Sequence, residues 1–423
     1  AIKARDLLYK YFGQLELLEL RFSEIRVQFP WHDAFTTKVT TQTSLAFEKA
    51  SIIFQIASTH SSIAISQNRS DPEGLKRAFN YFKTAAGMLT YINDNFLHAP
   101  STDLSKEVVK FLTNIMLAQA TEVFFEKMID EKKGPAIVSK VAAQAAYLYT
   151  GLTEEVKEFM GRGIFDRNWI TLIQIKAKYF TALSHYHRSI ADTAAGKHGD
   201  SLARLNVAEG LAKEAHRLGR IFNSDFVSTY TPTLPPDAGT SMLDLTKSLQ
   251  TLLTEKREEA SRDNDLIYNA VVPAEATLPV IDKLSVAQPI PIQEVYGNPD
   301  VQKVIGPDMF AKLIPLSVHE SASVYSEEKA KLARGEVEKV DIADGEARAG
   351  LESLGLPAGL RKWKEIANAG LEGSEDSGIP PEVESWATEV RNGGAQPGIE
   401  KAFSDLEALK RRVDDELNGI SRE

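Results

Sequence analysis

The sequence predicts a mainly α-helical protein with a few short strands, and three observations carry that reading. Apolar residues recur at three- and four-residue spacing over most of the chain. Two-residue alternation is confined to one short stretch, Phe22 to Phe29. Proline recurs seven times between Val272 and Pro315, which forbids long helix there and predicts an extended arm strapped along a helical body.

Residues 4–21 read as the first helix, with Leu7, Leu8, Tyr11, Leu15 and Leu18 on one face. The alternating stretch follows as a strand ended by Pro30, and then comes WHDAF (31–35). Leu45–Asn68 is apolar over much of its surface and is expected to be central. Ser70-Asp71-Pro72 supplies an N-cap and a first-turn proline for a helix that runs to about Leu97. A further helix is expected to open at Pro100–Asp103. Gly134-Pro135 then stops one helix and starts another, which ends near Gly161-Arg162-Gly163.

Helices over Asn168–Thr193 and Gly199–Leu218 come next, then a loop over Phe226–Met242 and a charged helix over Leu243–Asn264. Helix restarts after the proline-rich arm, giving two expected domains, 1–317 and 318–423. The polar run Glu372–Pro381 breaks the second. The last helix carries Ile399, Phe403, Leu406, Val413, Leu417 and Ile420 on a seven-residue beat, with Lys410 its one polar member. No partner for that stripe follows in sequence, so truncation of this arm is expected. Trimming is likewise expected at the start, which is already helical.

Composition narrows the function. The apolar fraction is 43%, and the formal charge of −10 argues against a broad nucleic-acid or anionic-membrane surface. With no cysteine there is no disulfide, thiolate metal site or thiol nucleophile. No signal peptide and no run of about 18 apolar residues is present. His185 and His187 are two apart on a helix and point in different directions, so they cannot chelate one metal. Gly161-Arg162-Gly163 lacks the third glycine and preceding strand of a dinucleotide loop. No catalytic motif appears, and no catalytic residue, cofactor or metal site is assigned.

Ile115–Tyr149 is the most informative stretch. It reads as a helical hairpin with more apolar surface than one core stripe needs. Ile137 and Val141 lie one turn apart, and Val138, Ala142, Ala145 and Tyr149 form the neighbouring stripe. One stripe can face the core and the other a groove, although pattern alone favours burial of both. Lys76, Lys127 and Lys140 lie near apolar runs and read by themselves as solvated lysines. Around an apolar patch they would form a rim selecting an acidic amphipathic helix.

WHDAF, LAFEKASIIFQIA (45–57), EGLK (73–76), IMLAQATEVFFEK (115–127), AIVSKVAAQAAYLY (136–149), SLARLNVAE (201–209), DNDLIYNAVVP (263–273) and LIPLSV (313–318) together resemble the BRO-domain family of endosomal-sorting scaffolds. Residues 84–112 look most like its PalA branch, the fungal ambient-pH signalling scaffolds. The resemblance implies a boomerang-shaped BRO domain on a tetratricopeptide-like helical core, followed by the start of a helical V-domain arm. It implies a non-catalytic adaptor in the cytoplasm that is recruited to endosomes, where its BRO domain binds the C-terminal amphipathic helix of an ESCRT-III subunit.

In the PalA branch, that role would bring a signalling protease and a transcription factor together. The alternatives are an Alix-type cargo-sorting adaptor and, less favoured, a membrane-binding scaffold. The family's apolar contacts fall on Phe124, Ile137 and Val141, and its basic contacts on Lys76 and Lys127; Lys140 is added to the rim by its position. An acidic contact of the EGLK loop falls on Pro72, leaving Asp71 as a possible substitute. Tyr268 matches a tyrosine that some members use for kinase binding, a role not carried over. YPxL-motif partners are expected only with a full V domain, no nucleic-acid partner is expected, and membrane association is expected to be indirect, through ESCRT-III.

Overall fold

The computed structural model describes residues 1–22, 25–96, 100–159, 161–227, 234–368, 381–393 and 395–420. The expected break at 372–381 therefore lies largely outside the described residues, as do Ser23 and Glu24 of the alternating stretch. The chain divides into two compact units, residues 1–319 and 320–423.

Helices dominate the first unit. They are α1 (Ile2–Glu19), α2 (Leu45–Ile65), α3 (Pro72–Asn95), α4 (Lys106–Asp130), α5 (Pro135–Glu155), α6 (Arg167–Ala194), α7 (His198–Asp225) and α8 (Ala238–Asp263). From α2 to α8 each packs on the next in sequence, apart from the shorter α4–α5 contact, in an antiparallel series of hairpins. The starts are chemically marked. Ser44 accepts from Phe47 N–H, Asp71 from Glu73 and Gly74 N–H, and Asp166 from Asn168 N–H. Pro72 and Pro135 occupy first-turn positions, where the missing N–H costs nothing.

The described strands differ from expectation. They are β1 (Phe29–His32) and β2 (Val39–Gln42), paired antiparallel with Phe29 opposite Gln42. Residues 25–28 are not strand, and Pro30 lies inside β1 instead of ending the strand. Alternation marks a half-buried extended chain, but a strand needs a partner, and β2 begins opposite Phe29. A two-stranded sheet is all edge, so Pro30 is tolerated. Helix bounds shift too. The 100–105 segment caps α4 instead of joining it, α5 gives way to a 3-10 turn at Val156–Phe159, and α8 starts at Ala238 within the expected loop.

WHDAF earns its place through two aspartates. Asp103, fully buried, accepts from the Trp31 indole at 2.9 Å and from Ala34 N–H at 2.8 Å. Asp33 accepts from Phe35 and Thr36 N–H and from Asp103 N–H at 3.0 Å. The hairpin loop and the α4 cap thus hold each other reciprocally.

The arm runs from Val272 to Pro291 and is followed by α9 (Ile292–Tyr296) and α10 (Pro299–Ile305). Arg204, itself buried, pairs with Asp192 at 2.9 Å and donates to Pro279 O at 2.7 Å. Leu284 N–H donates to Lys140 O and Ile290 N–H to Lys83 O, both at 3.1 Å. The arm therefore passes from α5 across α4 to α3. On the way Ala287 packs with Ala120 and Val123 of α4 and Phe82 of α3. Gly87 permits the last crossing, since a Cβ there would stand 1.7 Å from Ile290 O.

The second unit comprises most of α11 (Leu316–Ser353), α12 (Ala358–Asn368), α13 (Pro381–Asn392) and α14 (Ala395–Ile420). No residue of α11, α12 or α13 is buried. Ile399, Phe403, Leu406, Val413 and Leu417 of the heptad stripe are all exposed.

Three predictions follow from this packing. Asp103→Ala should cost roughly 1–3 kcal/mol in urea titration, because the Trp31 indole and the Ala34 N–H lose a buried charged acceptor. Gly87→Val should lift the arm and expose residues 280–291 to limited proteolysis, leaving helical circular dichroism nearly intact. Burial holds the His60 imidazole down at about 3 and those of His185 and His187 at about 4, against 6.5 unfolded. A histidine with a lowered folded pKa takes up its proton on unfolding. Stability should therefore fall as pH drops below about 6.5, by at most about 1.4 kcal/mol per pH unit for each histidine. Replacing His60 with Gln should flatten that slope.

Candidate docking site at the end of the α3–α4–α5 layer

α4 is long and apolar enough to cross a membrane by length and composition, but most of its apolar window is buried in the protein. It is a core helix. Because α3, α4 and α5 run antiparallel, the start of α3, the end of α4 and the start of α5 meet at one end of the layer. Phe79 and Phe124 confirm this, with ring centroids 5.3 Å apart. Lys127 Nζ lies 5.9 Å from the Phe124 centroid and Lys83 Nζ 5.1 Å from that of Phe79. Ile137, one turn into α5, is 42% exposed at the same end. This end of the layer thus carries two aromatic rings in contact, ammonium groups near both rings, and an exposed branched aliphatic side chain at the start of α5.

The expected residues fare differently. Phe124, Ile137, Lys76 and Lys127 are brought to this end. Val141 is not available: it is 0% exposed and belongs to the core. The i, i+4 spacing puts Ile137 and Val141 on one face, but α5 sinks into the layer over that turn, so Ile137 is exposed while Val141 is buried in the core. Lys140 is half-exposed yet tethered, its Nζ 2.8 Å from Asp282 of the arm and its carbonyl bonded to Leu284. The Lys140 ammonium, by hydrogen bond and charge, holds the Asp282 carboxyl below its ordinary range. Asp71 is occupied as the α3 cap and lies 3.5 Å from Arg77.

Lys76 is the most open of the cations, 3.9 Å from Glu73 with both side chains exposed, and Lys127 is 3.6 Å from Glu131. Exposed pairs of this kind cost little to exchange for a partner's carboxylates.

Sequence reading missed Phe79 and Lys83. A signal existed, since Phe79 is three residues from Lys76 and four from Lys83, on one face of α3. It also missed the arm as a wall: Leu284 and Val286 are partly buried against the core beside Lys140.

Behind the patch a polar network ties the hairpins together. Tyr149 donates to Glu122 at 2.7 Å, Lys176 meets Glu122 at 2.5 Å, and Arg69 reaches Glu126 at 3.0 Å. Burial pushes the Glu122 carboxyl up, but Lys176 and Tyr149 outweigh it and hold the group ionised. Each of the network's charges is matched, which suits structure better than chemistry. Among the described residues no group of three or more His, Asp or Glu could hold a metal. His187 packs edge-on to Phe125, 5.6 Å between centroids.

A BRO1-like domain model matches residues 1–333. The vacuolar protein-sorting protein BRO1 of Cryptococcus neoformans is 57% identical over 377 residues, which are 89% of this chain and 39% of that protein. The chain spans well under half the length of such curated relatives. Among solved structures, ALIX in complex with the SIVmac239 PYKEVTEDL late domain matches 98% of this chain and 56% of its own, at 27% identity and a TM-score of 0.66. The ALIX BRO1–CHMP4C complex matches 69% of this chain and 79% of its own, at 28% identity and a TM-score of 0.59. These matches do not show the closeness to the PalA branch expected from residues 84–112. With more than half of its length matched by the family model and its helical order shared with the ALIX structures, the chain belongs to the BRO1-like domain family.

Proposed function

We propose that this chain is a non-catalytic adaptor that receives the C-terminal amphipathic helix of an ESCRT-III subunit on the Phe79–Phe124–Ile137 patch. The observation that carries the proposal is Ile137: a large aliphatic side chain standing exposed where two aromatic rings and several lysines converge. An amphipathic helix would seat its apolar face on the rings and Ile137, and its acidic residues would meet Lys76, Lys83 and Lys127. The similarity to the ALIX BRO1 domain solved with CHMP4C supports that reading. Through that helix the chain would pass from the cytoplasm to endosomal membrane, a role in keeping with vacuolar-sorting relatives. Recruitment of pH-signalling components rests on the resemblance of residues 84–112 alone. YPxL-motif partners, by analogy with the ALIX late-domain complex, belong to a full V domain and are assigned no residues here.

Ile137→Asp tests the patch. Replacing a buried aliphatic contact by a charge should weaken a synthetic ESCRT-III tail helix by more than about a hundredfold in calorimetry. Circular dichroism should not change, because Ile137 is exposed and outside the buried core cluster. Parent affinity in that variant would remove the assignment. Lys127→Glu should weaken the peptide more than Lys140→Glu, since the Lys140 ammonium already answers to Asp282.

A further inference from the structure

The second unit carries several exposed apolar stripes, and their charge patterns differ. The α14 stripe is bordered by both signs, Glu400, Lys401, Asp405, Glu407, Arg411 and Asp414 among them, the mixture expected at a helix–helix seam. One of its cations, Arg411, pairs along its own helix with Glu407 at 3.8 Å, and in α11 Lys339 pairs with Glu336 and Arg348 with Asp344, both at 2.8 Å.

α12 is built otherwise. It has three turns and none of its residues is buried. Leu360, Trp363 and Ile366 are 61%, 50% and 40% exposed. At 100° per residue these three and Ala367 share one face. Lys362 and Lys364 fall on the two opposite borders of that face, and Arg361 and the one carboxylate, Glu365, both point away from it. Among the described residues no ion pair engages Arg361, Lys362 or Lys364. An apolar face holding a tryptophan, with lysines on both borders and a net charge of +2 from three cations and one carboxylate, is the arrangement that lies flat at a lipid–water boundary. The aliphatic parts of the lysines cover the edges of the apolar face while their ammonium groups reach headgroup phosphates.

We propose that α12 is a direct contact with an anionic lipid surface, its Leu360–Trp363–Ile366 face at the level of the upper acyl chains and Lys362 and Lys364 on the headgroups. The proposal does not rest on the ESCRT-III reading, and it replaces a purely indirect membrane association with a direct one. Net charge does not oppose it, because screening confines the attraction to charges within about 10 Å of the surface. The acidic run Glu372, Glu375 and Asp376 that follows in sequence limits the affinity to strongly anionic bilayers.

Flotation of the whole chain with phosphatidylcholine vesicles, with and without phosphatidylserine, tests the proposal. Binding is expected with phosphatidylserine at low salt and is lost at high salt, with a blue shift of tryptophan emission that Trp363→Phe removes. Lys362→Gln with Lys364→Gln should weaken binding roughly thirtyfold. Leu360→Asp with Ile366→Asp should abolish it, and the triple neutralisation Glu372→Gln, Glu375→Gln, Asp376→Asn should strengthen it. Leu360, Lys362, Trp363, Lys364 and Ile366 are all exposed, so circular dichroism of the α12 variants should match the parent. Absence of phosphatidylserine-dependent flotation would overturn the proposal, as would binding undiminished in the Asp variant. So would a Trp363 already shielded from iodide in lipid-free protein, which would mean that another protein surface covers this face.

Discussion

The first unit depends on the need to cover α4 from every side. Its buried residues include Val108, Val109, Phe111, Leu112, Ala118, Ala120, Val123, Phe125 and Met128, which do not form a single stripe. A helix that is apolar all round must lie inside something. α3 and α5 flank it, the polar network from Glu122 to Lys176 ties it to α6, and the arm closes the remaining side over Ala120 and Val123. The cover ends just short of the α4 C-terminus. Phe124 and Lys127 stand there, and the docking patch is the place where the wrapping stops.

That constraint explains the arm. A chain with prolines at 273, 279, 289 and 291 cannot contribute a helix, so its backbone groups need partners on the surface it crosses. Three crossings supply them: Arg204 at Pro279, the Lys140 carbonyl at Leu284, and the Lys83 carbonyl at Ile290. Gly87 removes the side chain that would keep the third crossing away. Lys83, whose carbonyl fastens the arm, also holds its ammonium 5.1 Å from the Phe79 ring centroid at the border of the patch, and Lys140 fastens the arm by both its carbonyl and its ammonium. Cover and site therefore share positions, and a change in the arm's seating alters the cationic border.

Much of this could be read from sequence. Helix spans and the proline-rich arm follow from spacing and from proline placement, which are local properties, whereas spacing alone favours burial of Ile115–Tyr149 and only the family resemblance points to a docking patch there. The β1–β2 pairing could not, because Pro30 is tolerated only in view of a partner strand that begins at Val39. The distinction between Ile137 and Val141 was also hidden. Two residues four apart share a direction but not a depth, and depth depends on how far α5 sinks against its neighbours. Phe79 and Lys83 were legible in principle as a spaced pair on α3, but nothing local to α3 says that the end of α4 will lie beside them.

The cations of the two units show how position decides what a lysine does. Lys176 is drawn into a buried network whose other members hold it, and its role is structural. Lys140 is half-committed, paired with Asp282 at the surface, where such a pair contributes little and can be exchanged. Lys76 and Lys127 meet only carboxylates on their own helices, and Lys362 and Lys364 are paired with none among the described residues. A free cation becomes informative when apolar surface lies beside it, because water must leave both together when a partner arrives. At the α3–α4–α5 end that surface is shared by several helices and carries two aromatic rings with cations beside them, which suits the apolar face of another helix. On α12 it is the face of one short helix with lysines on both borders, the arrangement that suits an anionic plane.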